Sequence, residues 1–131
     1  MESKFPRILL AEDNEVVQRI IIHKLEKENY SVTCLSTGEK VVETVISIMP
    51  ALIILDLLLP ITNGLTILNE LKSNLSSSGI PVIIFTTDNN EEMLNKAMKL
   101  GAVDYILKPF SPSELIVKIK HYLNLSSTCK L

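Results

Sequence analysis

The chain has 131 residues, 47% apolar and 21% charged, enough for one globular domain with its own core and not the composition of a disordered segment. Its net charge of −2 gives no basic footprint for direct nucleic-acid binding. Cys34 and Cys129 have neither metal-ligand spacing nor a disulfide framework, the start MESKFPR is too polar for a signal peptide, and no apolar run approaches about 18 residues; a soluble cytoplasmic protein is expected.

The first apolar run, Ile8-Leu9-Leu10-Ala11, ends in Glu12-Asp13. Short continuous runs of this kind mark strands buried on both faces, as in a parallel sheet. Asn14 is placed as a helix N-cap, and Val17, Ile21 and Leu25 recur at helical spacing up to Asn29-Tyr30. Ser31 to Leu35 reads as a short strand, Ser36-Thr37-Gly38 as a turn, and Glu39 to Met49 as a helix stopped before Pro50. The run Leu52 to Leu55 ends in Asp56, followed by a loop to Gly64 and a helix with Leu65, Leu68 and Leu71 inward. After the polar stretch Ser73 to Gly79, strand Pro81 to Phe85 runs into Thr86-Thr87. A helix from about Asn90 places Leu94, Ala97 and Met98 on its inner face and closes at Gly101. Val103 to Leu107 ends in Lys108-Pro109, and the last helix runs from Ser111-Pro112 to about Leu123 with Leu115, Ile119, Tyr122 and Leu123 inward. Asn124 to Leu131 carries no strong structural signal.

Strands alternating with helices imply right-handed crossovers and a parallel sheet covered on both faces. In such sheets the ligand crevice lies beyond the carboxyl ends of the strands. Those ends carry Glu12, Asp13, Asp56, Thr86 and Lys108. Singly, each has an ordinary use: an aspartate caps a helix, a threonine starts a turn, a lysine stands in solvent. Together they suit a divalent metal and a phosphoryl group. Close carboxylates need a cation to stay ionised together, and Mg²⁺ favours hard oxygen ligands. An aspartate can accept a phosphoryl group, a lysine can neutralise its oxygens, and a hydroxyl can hydrogen-bond them.

The ordered set Glu12-Asp13, Asp56, Thr86 and Lys108-Pro109 resembles the receiver domains of two-component response regulators. The string Asp56-Leu57-Leu58-Leu59-Pro60-Ile61-Thr62-Asn63-Gly64 is similar to that family's D-x-x-M-P-x-x-x-G, with Leu59 in place of Met. Thr86, Tyr105 and Lys108 lie 30, 49 and 52 residues past Asp56, and the resemblance runs from about Arg7 to Leu123. It implies a flavodoxin-like α/β fold, a (βα)5 three-layer sandwich with a five-stranded parallel sheet in order 2-1-3-4-5. It also implies a receiver domain over residues 1–123 and a short tail over 124–131.

The resemblance further implies that Asp56 accepts a phosphoryl group from a histidine kinase or histidine phosphotransfer protein. Glu12, Asp13, Asp56 and the backbone carbonyl of Leu58 would hold Mg²⁺, with Asp13 a direct ligand and Glu12 acting partly through water. Thr86 and Tyr105 would form the switch, Lys108 would be the cationic partner, and Pro109 would follow a cis bond. Output would pass to a protein partner, or to a second copy, through the face made by Asn90 to Leu100, Val103 to Leu107 and Ser111 to Leu123. The chain would be a phosphorylation-activated switch that catalyses only its own phosphorylation and dephosphorylation. Eight residues after the last predicted helix leave no room for a DNA-binding output domain, so output would run through a partner, unless the chain is a receiver from a longer protein.

Three positions depart from or tune the pattern. Leu58 and Asp88 flank the site where the family sets the phosphoryl lifetime, and Thr87 stands where the family commonly has Ala or Gly, narrowing access. A phosphatase of the haloacid dehalogenase type also uses a strand-end aspartate, but it needs a second aspartate where this chain has Leu58. A constitutive interaction module is disfavoured because every chemical position is filled. His23 and His121 lie on predicted helices without metal-ligand spacing and read as surface or packing residues.

Overall fold

The computed structural model describes residues 5–87 and 91–129, with the side chains of the last helix described as far as Asn124. Along them run β1 (Arg7–Ala11), α1 (Glu15–Lys27), β2 (Ser31–Leu35), α2 (Val41–Ile48), β3 (Leu52–Leu55), α3 (Gly64–Ser73), β4 (Val82–Thr86), α4 (Glu91–Leu100), β5 (Asp104–Leu107) and α5 (Pro112–Cys129). The strands form one parallel sheet in order β2-β1-β3-β4-β5, the order the resemblance implies.

Alternation along the inner strands divides the core into two layers. Ile8 and Leu10, Leu52 and Ile54, and Ile83 and Phe85 belong to the layer under α1 and α5. Leu9 and Ala11, Ile53 and Leu55, and Val82 and Ile84 belong to the layer under α2, α3 and α4. All are fully buried, which explains why these strands read as unbroken apolar runs rather than alternating ones. At roughly 1.5–3 kcal/mol for each large aliphatic side chain buried, these layers hold the sheet against the entropy of the chain.

Polar caps fix where the first and third helices begin. The Asn14 side chain accepts from the Val16 and Val17 N–H groups at 2.9 and 3.1 Å. Asn63 accepts from the Thr66 N–H at 3.0 Å.

The sequence pattern differs from the structure in several places. Met98 is not on the inner face of α4 but exposed, because Leu94 and Ala97 already fill that stripe. Ile67 and Ile116, which the narrower stripes omitted, are buried; a helix lying on a sheet buries a wider arc than a single row. The second helix begins at Val41 rather than Glu39, without a side-chain cap. The last helix runs on through Cys129 rather than stopping near Leu123. No Pro or Gly follows Pro112, and Ser and Thr cost a helix only a few tenths of a kcal/mol each (roughly). The expected first residue of the fourth helix, Asn90, and the site-flanking Asp88 lie outside the described residues. His23 and His121 are exposed, as expected. Among the described residues no helix is long and apolar enough to cross a membrane.

The last helix is fastened to the sheet edge by one carboxylate. Asp104 Oδ2 accepts from Lys118 Nζ and from the Tyr122 hydroxyl, both at 3.0 Å, while Oδ1 accepts from the Tyr105 N–H at 2.8 Å. Burial pulls this carboxyl upward, but the donors from Lys118, Tyr105 and Tyr122 outweigh it and hold it below the usual aspartate value. A lowered native value means the stabilisation is complete above the unfolded value of about 3.9 and is lost as pH falls through the native one. Asp104→Asn is therefore expected to cost about 1 kcal/mol near neutral pH. The gap to the unsubstituted protein should close in acid. Denaturant unfolding of both proteins across pH checks this, and a gap that persists in acid would rule out a charge-based clamp.

Candidate functional site

Register brings the site together. Ala11 stands beside Leu55, Leu55 beside Ile84, and Thr86 beside Leu107. The residues that follow, 12 and 13, 56 and 108, therefore emerge at one edge, joined there by Thr86. Backbone bonds carry the alignment past the strands: Asp56 N–H donates to the Ala11 carbonyl at 3.0 Å and Lys108 N–H to the Thr86 carbonyl at 2.9 Å.

Glu12 is fully buried, Asp56 nearly so, and Asp13 is exposed at the mouth. Lys108 bridges the two buried acids, with Nζ 2.6 Å from Glu12 Oε1 and 3.0 Å from Asp56 Oδ2. The second oxygen of each acid is also engaged. Glu12 Oε2 accepts from the Asn14 N–H at 2.9 Å, and Asp56 Oδ1 from the Leu58 N–H at 2.8 Å. Burial pushes the Glu12 carboxyl above its usual range, against the opposing pull of Lys108. Burial would lower the Lys108 ammonium, but its bonds to Glu12 and Asp56 outweigh that and hold it above the ordinary lysine value. Lys108 is thus a fixed positive charge at working pH.

One carboxylate oxygen from each of Glu12, Asp13 and Asp56 lies within 4.8 Å of the others. Three hard anionic donors that close, two of them withdrawn from water, fit a small divalent cation better than they fit one another. Thr86 is fully buried at the end of β4, Tyr105 is partly exposed on the edge strand β5, and Thr87 is exposed. Leu58 is half exposed beside the site. The Lys108–Pro109 bond is cis.

Two supporting residues escaped the sequence reading. The Gln18 amide donates to the Glu12 backbone carbonyl and, at 3.0 Å, to Ser36 Oγ, tying the acid-bearing loop to the β2–α2 turn. Its signal was its spacing, four residues after the cap Asn14 and so on the same side of α1. Phe85 lies beneath Lys108, its ring centroid 4.9 Å from Nζ. Periodicity recorded it only as core.

Comparison with known proteins agrees with this geometry. A family model described as a response regulator receiver domain matches residues 8–120. The transcriptional regulatory protein BaeR of Escherichia coli is 36% identical over 123 residues, covering 94% of this chain and 50% of its own length. The chain spans about half the length of the curated relatives it matches. A CheY-like response regulator receiver domain protein of Methanospirillum hungatei aligns with TM-score 0.90 at 26% identity, covering 95% of this chain and 98% of that one. The receiver domain of a sensor histidine kinase of Pseudomonas aeruginosa, solved with magnesium coordinated in its active-site cleft, aligns with TM-score 0.85 at 27% identity, covering 92% and 98%.

Proposed function

Because this chain belongs to the response regulator receiver family of two-component systems, we propose that it is a signalling switch set by phosphorylation of Asp56. The observation that carries the reading is the closure of the strand-end groups on one point, with Lys108 bridging Glu12 and Asp56 and three acid oxygens gathered within 4.8 Å. An Asp56 carboxylate oxygen forms a bond to phosphorus as the bond to the donor histidine nitrogen breaks, and that nitrogen keeps the electron pair. Lys108 supplies positive charge to the phosphoryl oxygens, and Thr86 offers its hydroxyl to one of them. Glu12, Asp13, Asp56 and the Leu58 carbonyl would hold Mg²⁺, which when bound neutralises charge on the transferring group.

The donor is a histidine kinase or a histidine phosphotransfer protein, and the setting is cytoplasmic. Tyr105, on the exposed edge, reports the change at Thr86 by shifting rotamer. The output surface is α4, β5 and α5, offered to a protein partner or a second copy, and the chain catalyses only its own phosphorylation and dephosphorylation. Phosphorylation shifts a two-state equilibrium by as much as the phosphoryl group favours one state over the other. The test is intact mass after incubation with acetyl phosphate, and then with a phosphorylated histidine kinase, each with and without Mg²⁺. A gain of one phosphoryl group that needs Mg²⁺ supports the switch. No gain from either donor in a folded, Mg²⁺-binding protein overturns it in favour of a constitutive interaction module.

Thr87 adds an expectation of its own. Thr87 is exposed and directly follows Thr86, and its branched side chain is proposed to narrow the approach to Asp56. Thr87→Ala should speed phosphorylation by acetyl phosphate a few-fold, under about 1 kcal/mol of barrier. Stopped-flow kinetics would check this; an unchanged or slower rate would remove Thr87 as a gate.

A further inference from the structure

We infer that Phe85 is a positioning residue for Lys108, its ring holding the ammonium over the site while phosphoryl transfer changes the charge of the lysine's partner Asp56. This rests on the phosphoacceptor reading of Asp56.

Lys108 Nζ lies 4.9 Å from the Phe85 ring centroid, inside the range of about 6 Å over which a cation is drawn to an aromatic face. The lysine side chain is only 12% exposed, so little water competes, and the contact falls at the stronger, desolvated end of that interaction. The ring is itself held. Fully buried, it packs edge-to-face with Phe110, centroids 4.8 Å apart at 87°, an arrangement aromatic quadrupoles favour. Phe110 follows Lys108-Pro109 directly, so the lysine and the brace beneath its platform come from one turn. Phe85 precedes Thr86 directly, so the platform and the switch hydroxyl come from one strand end.

The three partners of the ammonium differ in what transfer does to them. Asp56 gives an oxygen to the new bond with phosphorus, and Glu12 would be among the acids that hold Mg²⁺ when it binds. The ring takes part in neither event. Being neutral, it adds nothing to the negative charge of an acid-rich site and does not compete with the phosphoryl oxygens for the lysine. A leucine would fill much of the same space in the core but has no negative face to offer.

Phe85→Leu and a series of ring-fluorinated phenylalanines at position 85 separate the two roles, because fluorine drains the negative potential of the face while nearly keeping its shape. Two quantities are read: the rate of phosphorylation by acetyl phosphate at saturating Mg²⁺, and the mobility of the Lys108 ε-methylene by NMR relaxation. The rate should fall stepwise with fluorination, to about one tenth in Phe85→Leu, as the methylene grows more mobile in the same order. Mg²⁺ affinity should stay constant along the fluorinated series and each member should remain folded, while Tm falls as the ring's contacts with Lys108 and Phe110 weaken. A flat rate or a flat mobility across that series overturns the inference and leaves Phe85 as core filling. If the unsubstituted protein takes no phosphoryl group from any donor, the phosphoacceptor reading has failed on its own, and the mobility series still decides whether the ring holds the lysine.

Discussion

Replacing Asp56 with asparagine is expected to abolish phosphoryl uptake while leaving the fold intact. The carboxylate is 4% exposed and receives Lys108 on one oxygen and the Leu58 N–H on the other. Asparagine keeps one acceptor oxygen in the same place but has no anionic oxygen to attack phosphorus. Lys108 retains Glu12 at 2.6 Å, so the substitution strands no buried cation, and it relieves the repulsion between Glu12 and Asp56. Stability should therefore change by less than about 1 kcal/mol, against the roughly 3–5 kcal/mol of a buried pair left uncompensated. Intact mass and thermal unfolding measured side by side separate chemistry from folding. Uptake by Asp56→Asn would move the acceptor to another carboxylate, Asp13 first among them.

Gly64→Ala is expected to have a large structural effect. A Cβ there would stand 2.5 Å from Leu57 Cα and 2.7 Å from the Asp56 carbonyl oxygen. Both are backbone atoms, and the Gly64 N–H already donates to the Leu57 carbonyl at 2.9 Å. Relief therefore requires moving residues 56 and 57 themselves, which also displaces the proposed acceptor. A loss of about 2–4 kcal/mol follows, at the upper end for overpacking, or about 10 °C in Tm. Phosphorylation should fall even where the variant stays folded. Gly79→Ala is the control: no atom lies within 4 Å of its added Cβ and its backbone is not left-handed. It should be neutral or add about 0.4–1 kcal/mol by restricting the unfolded chain. Differential scanning calorimetry compares the two, and equal Tm values would contradict the close approach at Gly64.

Much of this was legible in the sequence, because a doubly covered parallel strand is an apolar run and its chemistry can stand only where the run ends. Asp56 and Lys108 needed no more than that, and the cap Asn14 follows from side-chain chemistry alone, whereas Asn63 read only as loop. The limits were physical too. The pairing of Glu12 with Lys108 joins residues 96 apart, and only strand order makes them neighbours. Phe85 fits core periodicity whether or not a cation sits on its face, so its second contact leaves no mark in the pattern. The extension of α5 was hidden because nothing in Asn124 to Cys129 favours a helix strongly, while nothing breaks one either.

The register that aligns Ala11 with Leu55 and Leu55 with Ile84 also decides where the chain can change length. A residue gained or lost within any of these strands turns every later side chain in it to the opposite layer and shifts its site residue out of line. The loop over 74–79 lies at the other end of the sheet, with Leu75 almost wholly in solvent. Insertions there leave every strand in frame, which makes that loop the natural place to graft a tag, a fluorophore or a second domain without shifting the strand-end groups.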